Sequence, residues 1–154
     1  MADILYRKAR LDDIAQMQRL VAPEVASGVI LERSDDELAT NIRSYSVAEY
    51  EGEIVGFDAL HIHTPVLAEI RSLIVDERMR GKGVGKTLVE TACEEARRLG
   101  LQKVLVLTYR QSFFESLGFV EISKEALPEH KIWADCIKCK HFPICNEVSL
   151  IRLL

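Results

Sequence analysis

Residues 69–86, Glu-Ile-Arg-Ser-Leu-Ile-Val-Asp-Glu-Arg-Met-Arg-Gly-Lys-Gly-Val-Gly-Lys, constrain the fold more than any other stretch. They read as a strand, a short polar loop and a glycine-rich turn that opens a helix. Ile70, Ser72 and Ile74 alternate with Arg71, Leu73 and Val75, so both strand faces are largely apolar and the strand is expected to be buried. Asp76 to Arg80 is too charged to extend it. Gly81, Gly83 and Gly85 then alternate with Lys82 and Val84 ahead of an amphipathic stretch. Glycine lets the backbone approach a ligand closely and turn successive N–H groups one way. The N-terminus of the following helix carries about half a positive charge. With Arg78, Arg80, Lys82 and Lys86, the turn is a site for a phosphate or pyrophosphate.

Two familiar phosphate loops do not account for this turn. Gly85-Lys86-Thr87 ends like G-x-x-x-x-G-K-[ST], but that pattern needs a glycine at position 80, which is Arg. The dinucleotide pattern G-x-G-x-x-G needs glycine at 86 or 88, which are Lys and Leu. What stands between strand and helix is Arg80-x-x-Gly83-x-Gly85.

At 154 residues the chain is expected to form one domain, 1–154, with a full-sized core. The net charge of −4 argues against a general nucleic-acid binder, since the basic cluster at 78–86 is local. No apolar run is long enough to span a membrane. Met1 to Lys8 lacks the apolar segment of a signal peptide. The expectation is a cytoplasmic protein whose four cysteines stay mostly reduced.

Taken in order, Ile4 to Ala9 reads as a first strand. Ile14, Met17, Leu20 and Val21 recur at helical spacing, and Pro23 to Gly28 is expected to break that helix. Ser34 and Glu37 form a capping box for a second helix running to about Arg43. Ser46 to Tyr50 and Ile54 to Ile62 are strands joined by a turn at Glu51-Gly52, and 67–75 is the central strand. Val84, Leu88, Val89, Ala92, Cys93, Ala96 and Leu99 form one apolar helix face, with Gly100 at the expected C-cap. Val104 to Leu107 is a buried strand, Phe113 and Phe114 begin a short helix stopped at Leu117-Gly118, and Phe119 to Ile122 and Val148 to Leu153 are strands. The order β-α-α-β-β-β-α-β-α-β-β is mixed α/β.

Arg80-x-x-Gly83-x-Gly85 resembles motif A of the GNAT family of N-acetyltransferases, and the element order is that family's. Phe113-Phe-Glu-Ser-Leu-Gly-Phe119 resembles its motif B. The two motifs at their proper separation imply the GNAT fold and acetyl-CoA as the bound cofactor. Further stretches resemble the acetyltransferase domain of bacterial N-acetylglutamate synthases: Ala9-Arg10, Asp13-Ile14, Gly28 to Leu31, Arg33-Ser34, Ala59-Leu60, Glu69 to Arg71, Val106 to Thr108 and Leu127-Pro128. The resemblance implies a short, stand-alone form that acetylates a small amino acid, glutamate first, in arginine synthesis. One departure is Glu32, where the longer synthases tend to carry a basic residue near the substrate carboxylate. Another amine, a protein N-terminus, or a non-catalytic acyl-CoA-binding role are the other readings. A homodimer fits, but nothing in the sequence requires one.

The resemblance also implies roles. Backbone groups of Leu73 and Val75 would pair with the pantetheine arm, and the Leu73 N–H would polarise the thioester carbonyl. Arg80, Gly81, Lys82, Gly83, Val84, Gly85 and Lys86 would hold the pyrophosphate. Glu69 stands where the family often places a general base, with an ion pair to Arg71 as the alternative. The family's usual proton-donating tyrosine is replaced by Phe114, so Thr108 becomes the candidate donor, with helix capping as its other reading. From chemistry alone, a substrate carboxylate calls for Arg, and Arg33, Arg71 and Arg110 are candidates. His61 and His63 are expected at the core or sheet edge. Cys136, Cys139 and Cys145, with His141 or His130, would complete a tetrahedral zinc site; a redox pair or free thiols are the alternatives, and the metal is left unknown.

Overall fold

A computed structural model describes residues 3–127 and 147–154. The zinc candidates Cys136, Cys139, Cys145, His141 and His130 lie outside these, as does Pro128. Among the described residues no cluster of three or more His, Cys, Asp or Glu is placed to hold a metal. Nor is any of their helices long and apolar enough to cross a membrane.

Among the described residues, seven strands form one sheet: β1 (Leu5–Lys8), β2 (Tyr45–Tyr50), β3 (Glu53–Ile62), β4 (Leu67–Val75), β5 (Lys103–Thr108), β6 (Val120–Ile122) and β7 (Val148–Leu153). Their order is β1-β2-β3-β4-β5-β7-β6. Neighbours are antiparallel except β4 and β5, which run parallel. Helices α1 (Ile14–Ala26) and α2 (Asp35–Thr40) cover one face, through Met17, Val21 and Leu38 against Val47, Phe57 and Ile74. Helices α3 (Val84–Arg98) and α4 (Gln111–Glu115) cover the other, through Val89, Cys93, Ala96 and Phe114 against Ile70, Val104 and Leu150.

The expected caps are present. Ser34 Oγ accepts the Glu37 N–H at 3.1 Å, and Glu37 reaches back to the Ser34 N–H at 3.4 Å. Gly100 ends α3: Leu101 N–H bonds the Ala96 carbonyl at 2.9 Å and Gly100 N–H that of Arg97 at 3.0 Å, the paired closure of a Schellman motif. Helix α1 outlasts its expected break, continuing through Pro23 to Ala26. Pro23 gives up one intrahelical donor so near the end that the last turn still closes, with Ser27 N–H on the Pro23 carbonyl at 3.1 Å.

The even alternation expected along 70–75 does not hold. Ser72 takes a φ of +57°, and the pairing of β3 with β4 slips between Phe57 and Ala59, so Ser72 and Leu73 together face one residue, Asp58. This bulge turns the strand over. Ile70 packs under α3 while Ile74, four residues on, packs under α1. Gly56 lets α3 press onto the sheet: a Cβ there would sit 3.0 Å from the Ile74 carbonyl oxygen and 3.1 Å from Val84 Cγ1.

Asp58 is fully enclosed beneath α3, and its Oδ2 has no hydrogen-bond partner among the described residues. Burial pushes its carboxyl well above the ordinary range; Lys8, ion-paired with Glu95 at 3.0 Å, opposes this and Glu95 adds to it. The folded carboxyl therefore keeps a proton that the unfolded one releases above about pH 4. Folding takes up a proton, so stability falls as pH rises above that value toward the folded pKa. Asp58→Asn copies the neutral acid's shape and should be more stable than the parent at pH 8 and about equal near pH 4.5. Each kcal/mol gained is worth roughly 2–4 °C in melting temperature for a chain of this size. Thermal melts at the two pH values check this; an equal offset at both would rule it out.

Candidate active site

Strands β4 and β5 pair only from Leu67 to Glu69 and from Lys103 to Leu105. Beyond Glu69, β4 continues to Val75 beside β3, and β5 continues to Thr108 beside β7. The two strands part, and a slot opens at Glu69. The bulge at Ser72 lies on the β4 arm of the slot, beyond its last pair with β5. An extended ligand with amides of its own can enter such a gap as a strand would.

Below the slot stands the glycine turn. Gly83 is the N-cap of α3 with φ +79°, and Gly81 has the same φ; a Cβ at either would meet nothing within 4 Å. The turn is thus open toward solvent, and only glycine takes this conformation without strain. Arg78, expected among the phosphate cations, is instead tied to Glu53 and Asp76. Arg80, Lys82 and Lys86 are exposed around the turn, Arg80 holding only a long 3.9 Å contact with Glu77. Backbone N–H groups, the helix dipole and these cations suit a pyrophosphate.

At the vertex, Glu69 is 2% exposed. Its Oε1 lies 2.8 Å from His63 Nε2 and 3.4 Å from Arg71 Nε. The expected Glu69–Arg71 contact exists at 3.4 Å, but His63, expected at the core or sheet edge, stands closer at 2.8 Å. The hairpin register explains the meeting: His61 pairs with Glu69, and His63 is two residues on, on the same face. The i, i+2 histidines opposite a strand carboxylate were the available signal. The His61 and His63 rings meet edge to face, 4.8 Å between centroids. Arg33, His61 and Arg71 line one small pocket together with Tyr45 and Asn41. A buried carboxylate costs several kcal/mol unless it is paired; with its donors it can accept a proton from a group brought into the slot.

Thr108 and Arg110 stand on the other arm. Thr108 is buried, and its Oγ1 accepts the Arg110 N–H at 2.8 Å, at the N-cap of α4. Arg110 stacks on Phe113 at 4.7 Å, apart from the pocket that Arg33 and Arg71 line. Phe114 is buried against Phe113 and Phe119, a core residue without a polar group.

Residues 11–119 match the acetyltransferase (GNAT) family. An uncharacterised N-acetyltransferase of Chlorobaculum tepidum is 39% identical over 99% of this chain and 98% of its own length. An amino-acid acetyltransferase of Mycobacterium tuberculosis is 38% identical over 77% of this chain and 69% of its own. Among solved structures, N-acetylglutamate synthase of Neisseria gonorrhoeae, complexed with coenzyme A and N-acetyl-glutamate, superposes with a TM-score of 0.89 at 26% identity. That match covers 100% of this chain and 36% of the synthase. The parted strands and the open glycine turn fit the cofactor of that family. The chain belongs to the GNAT acetyltransferases and is an N-acetyltransferase that uses acetyl-CoA.

Proposed function

We propose that this enzyme acetylates the α-amino group of a small amino acid, L-glutamate first, as a cytoplasmic, single-domain N-acetylglutamate synthase of arginine synthesis. The observation that carries the reading is the buried Glu69 at the vertex of the slot, with Arg71 beside it and Arg33 lining the adjoining pocket. The likeness to the M. tuberculosis and N. gonorrhoeae proteins supports it.

Acetyl-CoA supplies the activated acetyl thioester. Leu73 and Val75 offer backbone groups to the pantetheine arm, the Leu73 N–H polarises the carbonyl, and Arg80 to Lys86 hold the pyrophosphate. An ammonium group cannot attack until it loses a proton; Glu69 takes it, directly or through one water. Arg33 and Arg71 face the substrate's carboxylates, with Arg110 on the opposite arm as a further cation. Thr108 passes a proton to the departing sulfur and takes one back from solvent water in the same step. Its Oγ1 already accepts the Arg110 N–H, so its own proton is directed elsewhere.

Thiol release from acetyl-CoA across a panel of amino acids, corrected for the protein's own cysteines, tests the substrate. Glutamate should lead; tight acetyl-CoA binding with no turnover on any amine would favour the non-catalytic reading. Glu69→Gln keeps the size but takes no proton. Turnover at pH 7 should fall about 10²–10⁴-fold, with acetyl-CoA affinity unchanged and much of the loss recovered at high pH. Near-normal turnover would leave Glu69 as an ion-pair partner only. Gly83→Asp puts a side chain and a like charge at the open turn; calorimetry should show acetyl-CoA binding weakened by at least about tenfold, the weight of one charged contact.

A further inference from the structure

We propose that His63 is the positioning residue of the general base: its Nε2–H holds Glu69 Oε1 and fixes the carboxylate at the vertex of the slot. The inference rests on the reading of Glu69 as the base, and goes beyond it to what makes a buried glutamate serviceable.

Two observations and one rule of hydrogen bonding carry it. The contact is 2.8 Å between side chains that are 1% and 3% exposed, so water does not dilute it. Arg71 Nε stands 3.4 Å from the same oxygen, beyond the usual 2.7–3.2 Å range. A base that is to take the amine's proton must be a carboxylate, which can only accept, so on that reading the hydrogen in the short contact is that of His63 Nε2. Proton uptake from the amine therefore falls to Glu69 and not to His63, whose facing nitrogen is already protonated.

The local structure is built to hold that ring. His63 closes the β3–β4 hairpin, its N–H bonded to the Leu67 carbonyl at 2.9 Å. Thr64 Oγ1 braces the turn, accepting the N–H groups of Val66 at 3.2 Å and Leu67 at 3.0 Å. His61 packs its ring edge to face against His63. Among the described residues, the charged and titratable groups of the dyad and the adjoining pocket include His61 from β3, Arg71 from β4, Tyr45 from β2, Arg33 from the segment before α2 and Glu37 from α2, the last two paired at 3.9 Å.

The test compares His63→Leu, which fills the space without a donor, with His63→Gln, whose amide N–H reaches where Nε2 does. Each is also combined with Glu69→Gln. His63→Leu should lower kcat about 10- to 100-fold, the weight of one hydrogen bond to a charged group, with KM for acetyl-CoA unchanged. His63→Gln should return to within a few-fold of the parent. The His63→Leu/Glu69→Gln double variant should be no slower than Glu69→Gln alone, because the contact has nothing left to position. If the leucine variant does not fold, His63→Asn, too short to reach Glu69, takes its place. Losses that multiply in the double variant, a glutamine variant as slow as leucine, or a leucine variant within about threefold of the parent would each overturn the proposal. Full activity in Glu69→Gln would instead overturn the reading of Glu69 as the base; a slow Glu69→Gln beside a fast His63→Leu removes only the role of His63.

Discussion

Backbone amides that leave water must be paired. In this protein two adjacent parallel strands share three residue pairs, Leu67–Lys103 to Glu69–Leu105, and then separate. Each remains paired on its outer side, to β3 or to β7. Their inner sides face a gap that a ligand with amides of its own can complete. The other functional features follow from where that gap begins. The vertex places Glu69 between strands while keeping it near the open arms, and the outer end of β4 delivers the chain into the glycine turn below.

The bulge at Ser72 gives the gap its second property. It inverts the strand between Ile70 and Ile74, so one strand feeds both helical layers, and it sets Leu73 toward the side that α3 covers. A regular strand would keep Ile70, Ser72 and Ile74 on one face. The positive φ at Ser72, a residue with a Cβ, is a local cost that the surrounding sheet imposes. Helix α3 is the counterpart: it rests on β3 at Gly56 and points its N-terminus, with Arg80, Lys82 and Lys86 around it, at the lower end of the gap.

Much of this was legible in the residues. Capping chemistry is local, so Ser34, Glu37 and Gly100 announced their helix ends. The apolar face of α3 has the 3.6-residue period of its packing, and strand 67–75 was placed to the residue. Glu69 and the glycine turn were found by their likeness to a family, Thr108 likewise. What escaped reading is long-range. The Ser72 bulge depends on a register with β3 that no periodicity within β4 reveals. His63 gains its meaning from a carboxylate across a hairpin, and Arg78 loses its availability to Glu53, twenty-five residues away. Asp58 lies in an apolar strand whose pattern says buried but not that a carboxyl would be buried with it.

Gly56 carries no functional group, yet a single methyl group there would press on main chain on one side, at 3.0 Å from the Ile74 carbonyl oxygen, and on helix side chains on the other, at 3.1 Å from Val84 and 3.3 Å from Leu88. The separation between the sheet and α3 is thus set by an absence. It is a gauge block machined to the thickness of a hydrogen atom, and the height of the phosphate-binding end is read off it. Any larger side chain there asks the sheet and α3 to move apart by tenths of an ångström. The whole contribution of Gly56 is dimensional.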